Sequence, residues 1–94
     1  MTKKIMELLN ESVTNEYRVE LRFEDEANMD MDLILTTKLT EVRMNEDTKY
    51  LYINAEGLQL KFKYKTCEMG TQSKVHNKFY FYSEEVSLTI TIFM

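Results

Sequence analysis

The sequence predicts an α+β domain in which a short N-terminal helix precedes a five- to six-stranded antiparallel meander. Three observations lead to this fold class. An apolar stripe at helical spacing occurs before residue 15. From residue 17 onward, apolar and polar side chains alternate with the two-residue period of a strand. Short polar turns separate the alternating segments, as in antiparallel hairpins. With 94 residues and no linker-like tract, the chain suits a single domain over residues 1–94.

The first segment predicts an amphipathic helix. Its apolar residues recur at spacings of three and four and fall on one side of a helix: Ile5, Leu8, Leu9 and Val13. Thr2 is a suitable N-cap, and we expect the helix to fray over residues 10–15. A helix of about three turns is marginal alone, so it must pack on the rest of the domain.

The next two segments predict the first two strands, joined by a polar turn over residues 24–28. In the first strand, the apolar side chains that define one buried face are Tyr17, Val19, Leu21 and Phe23. In the second they are Met29, Met31, Leu33 and Leu35. Beyond Leu39 the alternation changes parity, because Val42 and Met44 become the apolar positions. A change of parity within one strand indicates a β-bulge or a sharp bend.

The remaining strands are predicted over residues 50–53, 58–64, 79–82 and 86–94. Residues 54–57 form the strongest turn signal, in which Gly57 adopts the left-handed conformation. Residues 68–78 are predicted to be the longest loop. We expect seven apolar side chains to be buried in the core: Leu21, Phe23, Leu33, Leu60, Phe62, Leu88 and Ile90.

A single helix cannot cover a flat sheet of six strands, so the sheet is expected to be strongly curved or a partly closed barrel. A helix followed by a meander with a bent second strand resembles, in layout, the Sm-like RNA-binding barrels. The sequence motifs of that family are missing. Residues 25–28 replace its Asp-Gly turn, and neither its Asp-x-x-x-Asn element nor its Arg-Gly pair is found. No binding residue is therefore carried over from that family.

Composition excludes several classes of protein. One cysteine allows no internal disulfide, and Cys67 with His76 is too small a set for a structural zinc site. Gly57 and Gly70 are too far apart to form a phosphate-binding loop. The apolar run near the N-terminus is too short for a secretory signal, and no run is long enough to span a bilayer. These features favour a cytoplasmic protein without membrane association.

Two small constellations are weighed as candidates for chemistry. Cys67 and His76 would form a thiolate–imidazolium pair only if they were in contact and a third group oriented the histidine. Asp30 and Asp32 could offer oxygen ligands to a cation, but Leu35 stands where a calcium loop needs glycine. A packed thiol and a solvated acidic strand are the better interpretations. We predict a protein without catalytic, metal-binding or cofactor-binding residues.

The candidate interaction surface combines lysines and tyrosines on predicted strands. Its members are Lys61, Lys63 and Lys65, with Lys49, Lys74 and Lys78 in the same half of the chain, and Tyr50, Tyr52, Tyr80 and Tyr82. Such a surface is typical of single-stranded nucleic-acid binders, in which bases stack on rings and phosphates meet lysines. Lysines on exposed strands also protect against edge-to-edge aggregation. If Leu51, Ile53, Phe79 and Phe81 face the core, the four tyrosines face outward, and four outward tyrosines on adjacent strands favour a protein interface.

The last strand predicts self-association. Residues 86–94 contain no charge and no proline, so an open edge there would recruit further chains. The strand must therefore be central in its own sheet or paired with a symmetric copy. Phe93 on its polar side favours a covering partner, with packing under the N-terminal helix as the alternative.

The sequence predicts a small non-enzymatic module that binds protein, itself included, as a homo-oligomer. Single-stranded nucleic-acid binding through the lysine and tyrosine surface is the alternative. Net charge is -4, with the acidic excess in residues 1–48 and a slight basic excess in residues 49–94, which is too weak to indicate nucleic acid by itself. Small glycine-poor chains without catalytic motifs also suggest phage or mobile-element accessory proteins, many of which inhibit host factors by surface binding.

Overall fold

A computed structural model describes residues 2–25 and 32–94 of the chain. Within them lie one helix and seven strands: α1 (Thr2–Thr14), β1 (Arg18–Asp25), β2 (Asp32–Asn45), β3 (Tyr50–Ala55), β4 (Leu58–Lys63), β5 (Thr66–Gln72), β6 (His76–Tyr82) and β7 (Val86–Phe93). The predicted α+β class is confirmed, but the strand count of five to six is too low. Met29 and Met31, which were predicted to be buried, lie outside the described part of the chain. So does most of the predicted turn over residues 24–28.

Helix α1 includes most of the residues that the sequence predicts to fray. It runs without fraying to Thr14. Its end is fixed by two backbone hydrogen bonds, from Glu16 N to Val13 O and from Tyr17 N to Ser12 O, at 3.2 and 3.0 Å. With Glu16 in the left-handed region at φ 54°, this is a Schellman end, which satisfies carbonyl groups of the last helical turn.

The seven strands form one open antiparallel sheet in the order β4-β3-β2-β1-β7-β6-β5. Each strand pairs with its neighbour in sequence, except that β4 and β5 do not pair, and β7 returns to pair with β1. The predicted antiparallel meander is therefore present in two runs, β1 to β4 and β5 to β7. The β1–β7 ladder joins these runs.

The segment predicted as a loop over residues 68–78 contains most of strand β5 and the start of β6. The turn is confined to residues 73–75, where the Ser73 hydroxyl accepts hydrogen bonds from the backbone N–H groups of Val75 and His76. Strand β5 was missed because only Cys67 and Met69 continue the apolar alternation. Its ladder to β6 is also irregular, with a register shift between Met69 and Gln72.

The bend in β2 was predicted correctly. The register to β3 shifts between Leu39 and Glu41, so Thr40 is the extra residue of a β-bulge. The N-terminal half of β2 pairs with β1, whereas its C-terminal half pairs with β3. The bulge thus lies at the point where β2 stops pairing with β1 and begins to pair with β3.

The sheet curls back on itself. In a flat seven-stranded sheet, the edge strands β4 and β5 would lie about 28 Å apart. Only Tyr64 and Lys65 connect them, and a two-residue link reaches about 10 Å at most. At this link the backbone changes neighbours: Tyr64 N bonds to Lys49 O beside β3, and Lys65 N bonds to Tyr82 O at the end of β6. The expected strong curvature is present, although the sheet does not close.

The core lies inside this curl, under helix α1. Ile5 and Leu9 of the helix are fully buried against inward side chains from the sheet, and a Phe23–Phe62 contact at 6.4 Å joins strands three positions apart. Of the seven predicted core residues, Leu21, Phe62, Leu88 and Ile90 are buried. Phe23 and Leu60 are only partly buried. Leu33 was predicted wrongly and is 56% exposed, because β3 does not extend beside that half of β2.

Candidate interaction surface

A cation–aromatic cluster covers the outer face of β3 and β4. Tyr50 and Tyr52 alternate with the buried side chains of β3 and therefore face outward, with ring centroids 6.0 Å apart. The Lys61 ammonium lies 4.3 Å from the Tyr50 centroid and 5.7 Å from that of Tyr52. Lys63 approaches Tyr50 at 5.6 Å, and the Arg43 guanidinium approaches Tyr52 at 5.1 Å. Four of the predicted surface residues are thus brought together, with Arg43 as a fifth member.

The other two predicted tyrosines lie elsewhere in the sheet. Tyr80 and Tyr82 are stacked on the outer face of β6, with centroids 6.3 Å apart. Three strands separate β6 from β3 in the sheet order, so the four tyrosines do not lie on adjacent strands. The Tyr82 hydroxyl donates a hydrogen bond to Glu68 at 2.9 Å. Partial burial, followed by this hydrogen bond, raises the pKa of Tyr82.

Gly70 allows the Tyr80 ring to lie close to the backbone of β5. A Cβ atom at Gly70 would be 2.3 Å from Cε2 of Tyr80, which is far inside van der Waals contact. The ring therefore covers the backbone at a position where a larger residue would displace it. The tyrosines of β6 serve the packing of the β5–β6 hairpin as well as its surface.

Lys65 is separated from the cation–aromatic cluster. Its ammonium pairs with Glu84 at 2.7 Å, and this contact lowers the pKa of the Glu84 carboxyl group. Both side chains are exposed, so the pair contributes little to stability. The Lys65 carbonyl accepts a hydrogen bond from the Lys49 ammonium at 3.1 Å. Lys74 and Lys78, in the β5–β6 turn and on β6, are likewise outside the cluster defined by Arg43, Tyr50, Tyr52, Lys61 and Lys63.

Phe93 already has a neighbour within the chain. It faces Arg18 across the β1–β7 ladder, and the Arg18 guanidinium lies 5.1 Å from its ring centroid. The ring is partly buried, and a cation from β1 covers it, whereas the sequence predicted a covering partner with packing under the helix as the alternative. Beside it, Met94 N donates to Val75 O, and Val75 and Met94 are 62% and 41% exposed.

The most exposed apolar residues on a strand were missed by sequence reasoning. Leu33 and Ile34, near the start of β2, are 56% and 50% exposed. Leu33 lines a mostly apolar groove with Phe23 and Val86, and three carboxylates border it: Glu24, Asp25 and Asp32. The signal in the sequence is the uncharged run over residues 33–37 between Asp32 and Lys38. The alternation by itself assigns this run to a buried face.

One edge of β2 at this place has no partner strand among residues 2–25 and 32–94. Residues 32–38 bond to β1 on one side, and no strand among the described residues bonds to their other side. Arg22 of β1 contacts β2 at the end of the β1–β2 ladder, where its guanidinium donates a hydrogen bond to the Asp32 carboxylate at 2.7 Å. This hydrogen bond raises the already high pKa of Arg22.

The candidates for chemistry are not assembled. Cys67 pairs with Phe81 in the β5–β6 ladder. His76 precedes Phe81 by five residues on β6, which is about 17 Å along a regular strand. Burial raises the pKa of the Cys67 thiol, which disfavours a thiolate. Asp30 and Asn28 lie outside the described residues, and Asp32 is paired with Arg22. The part of the chain that the structure describes contains no group of three His, Cys, Asp or Glu side chains that could hold a metal ion.

No protein-family model, curated protein or solved structure matches the chain. The resemblance to Sm-like barrels thus remains one of layout, based on the N-terminal helix and the bent second strand. In the described ranges, 2–25 and 32–94, no helix is long and apolar enough to cross a membrane. The proposals that follow are based on the geometry of the surface.

Proposed function

We propose that the protein is a small non-enzymatic interaction module that binds protein, including a second copy of itself. The unpaired edge of β2 next to exposed Leu33 and Ile34 carries this proposal. A strand edge offers backbone donors and acceptors to an incoming strand, and alternate side chains add apolar contact. Apolar side chains at such an edge favour association, because natural sheets otherwise protect their edges with charge, proline or bulges.

Sedimentation over a concentration series tests this function. We expect the weight-average mass to rise from that of a monomer towards that of a dimer as concentration increases. A strictly monomeric species up to tens of micromolar would contradict self-association. That this module is a phage or mobile-element accessory protein is a separate prediction.

Single-stranded nucleic-acid binding is the second candidate, and the cation–aromatic cluster favours it. Ring faces and three cations lie together on β2, β3 and β4, which is the combination that binds bases and phosphates. It ranks second because the cations lie close to the rings on which bases would stack. A base would have to displace the Lys61 ammonium, which is 4.3 Å from the Tyr50 centroid.

Binding of single-stranded oligonucleotides at several salt concentrations separates the two functions. If the second candidate is correct, affinity falls steeply with salt, and Tyr52→Ala weakens binding much more than the control Tyr80→Ala on β6. If the first is correct, neither the wild-type protein nor either variant binds oligonucleotides measurably, and both variants retain the wild-type constant for self-association. Affinity capture from lysate with and without nuclease adds a check: recovery of only nuclease-sensitive material would contradict the protein-binding function.

A further inference from the structure

The strand edges without a partner strand among the described residues include those of β4, of β5 and of the N-terminal half of β2, and these three differ in chemistry. Strand β4 carries Lys61 and Lys63 on its outer face, and β5 carries Glu68 and is interrupted by a register shift. Both are features that discourage the addition of another strand. The open part of β2, residues 32–38, has neither a bulge nor an internal charge, since its charged residues are at its two ends. We call residues 32–38 the β2 edge.

Both faces of the β2 edge present apolar surface. Leu33 and Ile34 are consecutive, so their side chains point to opposite faces of the sheet, and each is at least half exposed. An added strand would cover one of them on each face. The occupant of this edge should therefore be an extended segment that has apolar side chains on both of its faces.

We propose that the occupant is the β2 edge of a second copy, paired antiparallel with Leu35 on the two-fold axis. The proposal depends on the proposed self-association and assigns it a surface and a register. An axis perpendicular to the sheet keeps the core faces of both copies on the same side, as in an isologous dimer. In this register Asp32 faces Lys38 of the partner subunit, and Lys38 faces Asp32 of the partner subunit.

The charge pattern of the β2 edge selects this register. With the axis at Ile34, Asp32 faces the uncharged Thr36 and Lys38 has no partner within the segment. With the axis at Thr36, Lys38 faces the uncharged Ile34 and Asp32 has no partner within the segment. Within residues 32–38, only the axis at Leu35 forms two opposite-charge pairs, one at each end of five uncharged residues. The uncharged pairs are then Leu33 with Thr37 and Ile34 with Thr36, so every β-branched or apolar side chain meets another.

A charge reversal tests the surface by sedimentation. Lys38→Glu places two carboxylates opposite each other at both ends of the interface, so we expect dimerisation to weaken at least about tenfold. The control is Lys74→Glu, which makes the same charge change in the exposed β5–β6 turn and should dimerise like wild type. The double variant Asp32→Lys/Lys38→Glu restores both pairs in the reversed sense and should recover dimerisation, with its fold checked by the thermal unfolding midpoint because the Arg22 contact is lost.

A disulfide test addresses the register itself. In a Cys67→Ser background, Leu35→Cys should form a dimer under mild oxidation, because residue 35 of each copy lies at the axis. Thr37→Cys should not, because the two copies of residue 37 would be about 13 Å apart along the strands.

The outcomes separate this inference from the proposed function. A wild-type dimer whose Lys38→Glu variant dimerises as tightly as Lys74→Glu overturns the β2 edge, while self-association itself stands. A wild-type chain that is monomeric throughout overturns both. Cross-linking at Thr37→Cys in preference to Leu35→Cys overturns the register.

Discussion

At the scale of single residues, burial depends on position along a strand as well as on the face a side chain occupies. Ile53 and Leu60 are cross-strand partners on the inner face of the β3–β4 ladder. Ile53 is fully buried, whereas Leu60 lies nearer the open edge and is only partly buried. The alternation in the sequence identifies both as inward residues but does not distinguish their depth.

We therefore expect Ile53→Ala to lower the free energy of unfolding by about 2–5 kcal/mol and Leu60→Ala by about 1–2 kcal/mol. The difference arises because truncation of a fully enclosed side chain leaves a cavity, whereas solvent fills part of the space at Leu60. Urea unfolding midpoints measure both values. Equal losses would contradict the difference in burial, and an unchanged midpoint for Leu60→Ala would remove that side chain from the core.

A second prediction at this scale concerns alkaline pH. Burial raises the pKa of Cys67 and of Tyr64 above their ordinary values of 9.0 and 10.0. The unfolded chain loses these protons at the ordinary values, so the folded state binds more protons above about pH 9. Stability contributed by these groups is present below pH 9 and is lost as pH rises through the raised values.

We expect the free energy of unfolding to fall from pH 8 to pH 10.5. The decline near pH 9 should be shallower in Cys67→Ser, because serine does not titrate there. Chemical unfolding at each pH measures the slope. A Cys67→Ser variant with the wild-type slope throughout would show that the thiol does not contribute.

At the scale of elements, the position of a strand in the sheet decides what its side chains tolerate. Strand β7 lies between β1 and β6, so its edges are occupied within the chain. Of the two alternatives drawn from its uncharged sequence, central placement is correct. Addition of a strand from a second copy to an edge of β7 is therefore not available, whereas the N-terminal half of β2 has no second partner strand among the described residues.

The Thr91→Lys substitution consequently tests the central position of β7 in the sheet and not self-association. Thr91 is 6% exposed and lies between Glu20 and Lys78 in the register. We expect lysine there to cost about 2 kcal/mol, because the longer side chain does not fit a site that is 6% exposed without displacing its neighbours on β1 and β6. Thr71→Lys on exposed β5 is the control and should change stability by less than about 0.5 kcal/mol. Equal stability of the two variants would contradict the central position of β7.

At the scale of the whole molecule, one extra residue in β2 permits the curl of the sheet. Thr40 is unpaired in the bulge, and the inward positions before and after it belong to different parts of the curled sheet. The curl brings Phe23 of β1 to Phe62 of β4, which a flat sheet would hold about 14 Å apart.

Deletion of Thr40 should therefore destabilise the protein much more than Thr40→Ala. The deletion restores a regular inward–outward alternation but removes the bulge, and with it the local twist that bends β2. Thr40→Ala keeps the backbone and removes only an exposed side chain. Thermal unfolding of both variants measures the difference, and a deletion variant as stable as Thr40→Ala would show that the curl does not need the bulge.

The sequence by itself determined the helix, six of the strand segments, the bulge after Leu39 and the left-handed Gly57, which has φ 74°. These features depend on local chemistry: side-chain periodicity, the change of parity and the conformational freedom of glycine. In the strands over residues 50–53 and 79–82 both faces are apolar or aromatic, and the structure buries Leu51, Ile53, Phe79 and Phe81, which is the condition under which the tyrosines face outward.

The tertiary structure decided which strands are neighbours, and therefore which residues meet. Backbone hydrogen bonds between strands are the same for every residue type, so alternation cannot show that β7 pairs with β1 or that β3 and β6 are far apart in the sheet order. For the same reason β5, with weak alternation, was recognised only through its pairing with β6. The exposure of Leu33 depends on where the β3 ladder ends, which is a property of the curled sheet and of no single segment.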